Sequence, residues 1–530
     1  MKKIFKGRLL KPQNYFESSK LKKNYIPLRY ILVAFLIVVG TLSVIAATAF
    51  LCVIFKFYVA IPLLLVYILC VLKIIRSEDN PDYKIPWLIL IFALPLIGII
   101  LYLLFYSRRL PKRQQMLFAS ARSAQSFKDD CAERASLAEI SLQALGQVNL
   151  LCAQSGAHLY KNTSLKYFPS GEDMYVSLLK DLKSAQKYIF LEFFIIEQGF
   201  FWDRILGVIK DRIANGVEVS VIYDDLGCMR TLPGNYFKRL RKLGINCVPF
   251  SIFRASADAE FNNRNHRKIA VIDGIIGYTG GVNIADEYIN VKRRFGHWKD
   301  AGLRLEGEAV RELMCLFIVD YAMNVRFKND KTALPDRYQL PPVEELDEGF
   351  IVPFGDGPSP VYKETVAKNI LMSVINGATK YVYATTPYLI IDNELCNAFE
   401  NAAQRGVDVR IITPGVPDKK IVNFMTKSYY KRLIKRGVKI YEYSPGFIHS
   451  KVLISDDTTG IVGTVNLDYR SLVHHFEDAV WFYRSPVLED VKSDVESTLS
   501  LCRRIEYESL KDSFLRGVAE AVIRLFAPML

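Results

Sequence analysis

Apolar residues are arranged in two different ways along this chain. Up to Ser107 they form long uncharged runs. Ile31 to Phe55 carries no charged side chain, the pattern resumes from Phe57 to Leu72 after Lys56, and a third run extends from Ile85 to Ser107. A transmembrane helix needs about 20 apolar residues. The first and third runs therefore predict spans, and the second does so if Lys56 snorkels. The first run is too long for a cleavable signal and lacks a small-residue cleavage site. Gly40, Pro62, Pro95 and Gly98 are tolerated in such segments.

Beyond Ser107 the apolar positions fall into short clusters separated by polar, helix-prone stretches, which predicts an α/β fold. The clusters recur. Lys187-Tyr188-Ile189-Phe190-Leu191-Glu192 has a counterpart in Lys380-Tyr381-Val382-Tyr383-Ala384-Thr385. A helix ending at Asn215-Gly216 before the strand Val217–Ile222 is matched by one ending at Arg405-Gly406 before Val407–Ile412. Glycine followed by β-branched alternation marks a helix-to-strand junction. A second junction of this kind lies at Gly244 and at Gly437. Two halves with the same element order predict a duplicated domain with pseudo-two-fold packing. The expected layout is a tail (1–29), a membrane region of two to three transmembrane segments (30–107) and a linker with packing helices (108–160). Two domains, 161–340 and 341–530, then follow.

Charge sharpens the membrane reading. The net charge is +14, and residues 1–29 hold nine Lys/Arg against the single acid Glu17. Arg108, Arg109, Lys112 and Arg113 follow the third run. The positive-inside rule places both basic segments in the cytoplasm, which requires an even number of spans, whereas hydropathy counts three. One run is then re-entrant, or two form a broken element, or the tail lies outside against the rule. The expected location is a cell membrane, multi-pass, with the large C-terminal part on the cytoplasmic side. The basic charge permits a nuclease, but the apolar runs weigh against a nucleic-acid partner. Nine scattered cysteines without a C-x-x-C pair argue against a disulfide framework or zinc site.

The repeat carries candidate chemistry. His266-Arg267-Lys268, four residues, Asp273, six residues and Gly280-Gly281-Val282-Asn283 form the first copy. His449-Ser450-Lys451, Asp456 and Gly463-Thr464-Val465-Asn466 form the second at the same spacing. Two of only six histidines thus hold one position in one frame. Residues two apart on a strand share a face, so a strand starting at His266 would present His266 with Lys268, and one starting at His449 would present His449 with Lys451. Asp273 and Asp456 complete the catalytic motif, although the Asp273-Gly274 hairpin signal favours a structural role. The set suits phosphodiester transfer. One neutral imidazole attacks phosphorus and the other, protonated, serves the leaving alcohol. Lys268, Lys451, Asn283 and Asn466 bind the phosphate and offset its developing charge. Either imidazole can attack at this stage. No metal or cofactor is expected, because no carboxylate cluster accompanies the motif.

The doubled H-x-K-x4-D with its downstream glycine and asparagine resembles the phospholipase D superfamily. Within it, the chain is similar to the bacterial cardiolipin synthases over nearly its whole length. Ile85-Pro86-Trp87 to Leu104-Phe105-Tyr106, Gly280 to Tyr288, Trp298-Lys299-Asp300, Asn466 to Leu472, Phe476-Glu477 and Arg524 to Leu530 carry the likeness. The resemblance implies a duplicated phospholipase D-like domain pair, with mixed sheets flanked by helices. It implies joining two phosphatidylglycerols into cardiolipin with release of glycerol at a lipid bilayer. It also implies attack by His266, acid/base work by His449, and imidazole orientation by Asp300 and Glu477. The departures are Thr464 opposite Gly281, Ile196-Glu197-Gln198 in place of an acidic stretch, and Leu389-Ile390 after Tyr388. A phospholipase D, or a phosphatidyltransferase acting on another donor or acceptor, is the alternative.

Overall fold

The computed structural model describes residues 46, 50, 58, 61–62, 64–77, 80–106, 110–125, 129–251, 263–324, 349–510 and 513–529. The basic tail and nearly all of the first uncharged run lie outside these described residues. Two units separate among them. One holds the segment up to residue 106 together with 513–529, and the other holds 110–251 and 263–510. Residues 513–529, expected at the end of the second domain, thus group with the hydrophobic segment.

In the hydrophobic unit, residues 64–76 are helical. The third uncharged run is not one continuous helix, contrary to the single span expected of it. It divides into the helices Pro81–Ala93 and Pro95–Phe105 at Leu94, whose φ of -136° and ψ of 76° lie outside the helical region. Pro95 has no N–H to continue the ladder and disfavours helical geometry in the residue before it. At about 1.5 Å per residue neither helix approaches the roughly 30 Å of a hydrocarbon core. Among the described residues, no helix is long and apolar enough to cross a membrane. The two helices fold back on each other as an antiparallel hairpin. Tyr83 faces Tyr106 with ring centroids 5.6 Å apart, and Trp87 faces Tyr102 at 5.8 Å. Near the bend a Cβ on Gly98 would lie 2.7 Å from the Ile91 Cα, so only glycine allows this approach.

The larger unit contains two sheets built on one plan. The first comprises β1 (Thr163–Phe168), β2 (Tyr188–Phe193), β3 (Glu218–Asp224), β4 (Asn246–Phe250), β5 (Lys268–Ile272) and β6 (Ile276–Gly280). The short β7 (His297–Lys299) precedes β8 (Gly302–Gly307), and the sheet order is β1-β8-β6-β5-β2-β3-β4. The second half supplies β9 (Phe350–Asp356), β10 (Tyr381–Thr385), β11 (Leu389–Ile390), β12 (Asp408–Pro414), β13 (Lys439–Tyr443) and β14 (Gly446–Ile448). It continues with β15 (Val452–Ser455), β16 (Thr459–Gly463), β17 (Leu467–Asp468), β18 (Glu477–Tyr483) and β19 (Cys502–Ile505). Its order, β9-β18-β16-β15-β10-β12-β13-β19, repeats the first sheet and adds one edge strand. The duplicated α/β fold is therefore present as expected.

The strands read as continuous apolar runs because both faces are covered. Ile189, Leu191, Val221, Ile269 and Ala270 are all fully buried. The helix-to-strand junctions fall where the glycines predict. Gly216, Gly244, Gly406 and Gly437 take φ between 85° and 97°, a conformation that ends a helix at little cost only for glycine.

The halves are laced together by exchanged backbone bonds. β7 of the first half pairs in parallel with β14 of the second. In the symmetry-related place Asn265 pairs with Phe476. These two crossings position the site.

Candidate active site

Each motif histidine sits just outside its own sheet and is tied to the opposite half. The His266 N–H donates to Phe476 O at 2.8 Å, and the His449 N–H donates to Lys299 O at 2.7 Å. The strands accordingly begin at Lys268 and Val452 rather than at the histidines. The cross-half bonds take the backbone groups that a longer strand would use.

The side chains follow the same exchange. His266 Nδ1 donates to both Glu477 oxygens at 2.9 Å. His449 Nδ1 donates to Asp300 Oδ2 at 2.7 Å. Each imidazole is thus oriented by a fully buried carboxylate of the other half, leaving Nε2 for a substrate. Glu477 also accepts from Thr464 Oγ1 and, at 2.6 Å, from Ser471 Oγ. Asp300 accepts from Trp298 Nε1 at 3.3 Å and from the Ala301 N–H at 2.9 Å. The Gly281/Thr464 difference has a steric reason. A Cβ on Gly281 would collide with the Asp300 carboxylate and lie 3.0 Å from His449 O. At the related place in the second half Thr464 meets the longer Glu477 and donates to it.

Lys268 Nζ donates to His266 O at 2.7 Å. Lys451 Nζ donates to His449 O and lies 2.9 Å from His449 Nδ1, whose proton is directed at Asp300. Burial dominates the electrostatics. It lowers the His266 imidazole to about 3 and that of His449 to about 4, against the pull of Glu477 and Asp300. It also lowers Lys268 to about 8 and Lys451 to about 7. Lys268 adds to the depression of both His449 and Lys451, so the two motifs share one electrostatic site. Burial alone would raise Glu477 and Asp300, but the facing imidazoles hold both carboxyls below the usual range.

The remaining motif residues divide. Asp273 and Asp456 lie at the far ends of β5 and β15. Asp273 accepts from the N–H groups of Gln186, Lys187 and Tyr188 at 2.7, 2.7 and 2.9 Å. Asp456 accepts from those of Thr379, Lys380 and Tyr381 at 2.6, 2.9 and 2.9 Å. Both occupy left-handed backbone, with φ of 53° and 56°. Their grouping with the catalytic residues is corrected accordingly: they clamp the loops entering β2 and β10. Asn283 accepts from the Ile195 N–H at 3.0 Å and donates to Tyr288 Oη at 2.8 Å, which commits much of its amide to the fold. Asn466 keeps a buried Oδ1 without a partner among the described residues. His158 and His297 are structural, bonded to Glu312 at 2.9 Å and to Tyr443 at 3.0 Å.

Several site residues carried no sequence signal. Arg267, between the motif His and Lys, is fully buried and bridges the halves. It donates to Asp320 at 2.6 Å, Glu477 O at 3.0 Å, Asp356 O at 3.2 Å and Tyr362 Oη at 3.1 Å. Buried Glu192 shares its surroundings with Asp320, and burial pushes the Glu192 carboxyl well above its ordinary value. Ser471 likewise reveals itself only through its bond to Glu477, and Thr464, visible in the sequence as a departure opposite Gly281, gains its role from the same carboxylate.

Comparison with known proteins gives the family of the chain. The family described as cardiolipin synthase, phospholipase D-like domain, matches residues 178–294 and 371–499. A phospholipase D-nuclease N-terminal family matches residues 65–105. A cardiolipin synthase of Halalkalibacterium halodurans is 31% identical over 86% of this chain and 91% of its own length. One from a Geobacillus species is 32% identical over 86% and 90%. The crystal structure of a phosphatidylserine synthase from Haemophilus influenzae shares the fold, with a TM-score of 0.56 at 14% identity over 73% of this chain and all of its own. The chain belongs to the cardiolipin synthase family.

Proposed function

We propose that this member of the cardiolipin synthase family condenses two phosphatidylglycerol molecules into cardiolipin and glycerol. The observation that carries the reading is the crossed pair of imidazoles, each fixed through Nδ1 by a buried carboxylate of the other half, with two lysines beside them. His266 Nε2 attacks the donor phosphorus and the bond from phosphorus to the glycerol oxygen breaks. His449 gives its Nε2 proton to that oxygen. The terminal hydroxyl of a second phosphatidylglycerol then loses its proton to His449 and attacks the phosphorus. The bond from His266 to phosphorus breaks, which restores both imidazoles. Lys268, Lys451, Asn466 and the remaining Asn283 donor offset charge on the non-bridging oxygens. An anionic phosphodiester entering the pocket supplies the negative charge that lets His449 hold a proton despite burial.

The reaction takes place at a bilayer. Large apolar side chains of the hydrophobic unit support this, among them Leu64, Leu69, Ile85 and Phe92, all exposed. The helix Phe514–Leu525 adds Phe514 and Leu515, 84% and 78% exposed. A multi-pass anchor including residues 31–55, with the catalytic unit on the cytoplasmic side, completes the reading.

The test is turnover of phosphatidylglycerol by the purified protein in detergent–lipid micelles containing EDTA. Cardiolipin and glycerol formed together, and lost in His266→Ala and His449→Ala, are the expected result. Phosphatidic acid without cardiolipin would instead make the protein a hydrolase.

A further inference from the structure

The two halves differ at the residue two places before each orienting carboxylate. In the first half this is Trp298, before Lys299 and Asp300. In the second it is His475, before Phe476 and Glu477. The backbone shows that the positions correspond, since Lys299 O and Phe476 O receive the N–H groups of His449 and His266. Trp298 lies against His449 with ring centroids 5.2 Å apart and donates its Nε1 hydrogen to Asp300. His475 lies against His266 at 5.7 Å. Its side chain is only 12% exposed, yet neither ring nitrogen has a hydrogen-bond partner among the described residues.

Glu477 does not need His475. His266, Thr464 and Ser471 already occupy its oxygens, and His475 Nδ1 stands off at 3.8 Å. Leaving a desolvated nitrogen without a partner is costly, so this ring position calls for a ligand group. One nitrogen from each histidine and one oxygen of Glu477 lie within 4.8 Å of one another. Around His266 the neighbours are therefore Phe194 at 5.2 Å and one uncommitted polar ring. Around His449 they are Tyr288, Trp298 and Phe447, at 5.3, 5.2 and 5.9 Å.

We propose that His475 is a substrate-binding residue that donates a hydrogen bond to a non-bridging phosphoryl oxygen of the phosphodiester at His266. The inference rests on the phosphatidyl-transfer reading above and adds a residue outside both repeated motifs. The same three groups have the composition of a small metal site. The His266–Glu477 hydrogen bond, made at 2.9 Å to both carboxylate oxygens, already fills the coordination a metal would need.

The experiment compares wild type, His475→Phe and His475→Gln at matched melting temperatures, with and without EDTA. Each is assayed on phosphatidylglycerol and on bis(4-nitrophenyl) phosphate, which carries a phosphodiester but neither glycerol nor acyl chains. The expected result is a 10- to 100-fold loss of kcat/KM in His475→Phe on both substrates. His475→Gln, which keeps a donor, should stay within about 3-fold of wild type. His475→Phe retaining more than half of wild-type kcat/KM would overturn the proposal, and so would a Gln variant as poor as Phe. A loss confined to phosphatidylglycerol would assign the contact to the glycerol head group instead, and abolition of wild-type activity by EDTA would make His475 a metal ligand. Wild type that cleaves the small diester but forms no cardiolipin would refute the proposed function while leaving His475 readable.

Discussion

Glu477→Gln isolates what the orienting carboxylate does. The substitution keeps the size of a side chain that is fully buried and touches His266, Thr464 and Ser471. Both hydroxyls can donate to or accept from an amide, so the fold should tolerate it, with a melting temperature within a few degrees of wild type. The chemistry should not tolerate it. Glu477 can only accept, which fixes the proton on Nδ1 and leaves the Nε2 lone pair facing the pocket. An amide can turn its NH2 towards Nδ1, and the imidazole then carries its proton on Nε2, where it cannot attack. The charge-assisted bond lost is worth about 1.5–3 kcal/mol. At about 1.36 kcal/mol per decade this alone predicts a roughly 10- to 150-fold slower reaction, and the tautomer shift adds to it. The assay is rapid-quench trapping of the phosphatidyl-enzyme from labelled phosphatidylglycerol. Glu477→Gln should suppress formation of the adduct. Adduct formed at more than a third of the wild-type rate would refute the orienting role.

Four further outcomes are expected. Gly281→Ala should drive the Asp300 carboxylate away from His449 and lower kcat by at least about 10-fold with little change in KM, measured by steady-state kinetics; unchanged kcat would mean that Asp300 adapts. Asp273→Ala and Asp456→Ala should each cost about 1–3 kcal/mol in denaturant unfolding while the folded fraction keeps its kcat, because each removes an acceptor for three backbone N–H groups. Arg267→Met should cost about 3–5 kcal/mol by leaving Asp320 buried without its cation, and a protein of near wild-type stability would contradict the clamp. Burial holds His266 and His449 at about 3 and about 4, below the ordinary 6.5, so the unfolded chain binds more protons between those values. Their contribution to stability is complete above about pH 6.5 and is lost as the pH falls towards 4, and His266→Gln with His449→Gln should flatten that slope in thermal unfolding.

Much of the architecture was legible because it is local. The strands Tyr188–Phe193 and Tyr381–Thr385, and the glycine junctions at 216, 244, 406 and 437, are set by neighbours a few residues apart. The motif histidines and lysines were legible because they repeat. The strand boundary at His266 was not, since its N–H is taken by Phe476, far along the chain and in the other half. Distance in sequence hid Arg267 in the same way, and from the residues alone it would also have hidden Asp300 and Glu477. Glu477 meets His266 across 211 residues, and Asp300 meets His449 across 149. No periodicity encodes such pairs, and resemblance alone pointed to the acids. The third uncharged run failed differently. Hydropathy registers Pro95 and Gly98 as tolerable, whereas the backbone breaks before Pro95 and uses Gly98 to close the hairpin.

The exchange between halves joins folding to chemistry. Each half carries an attacking-type imidazole whose tautomer is set only by the other, so neither half alone holds a completed site. Duplication makes the two imidazoles alike, but a two-step transfer needs them to differ, one bonding to phosphorus and the other shuttling a proton. The differences lie in the residues that touch them. Asp300 lies beside Gly281 and Trp298, and the rings of Tyr288, Trp298 and Phe447 surround His449. Glu477 beside Thr464, Ser471 and His475 gives His266 a carboxylate partner that accepts from two further hydroxyls, and a polar ring as neighbour. The halves thus depart from repeat symmetry at the residues that touch the two imidazoles, where a two-step transfer calls for different behaviour.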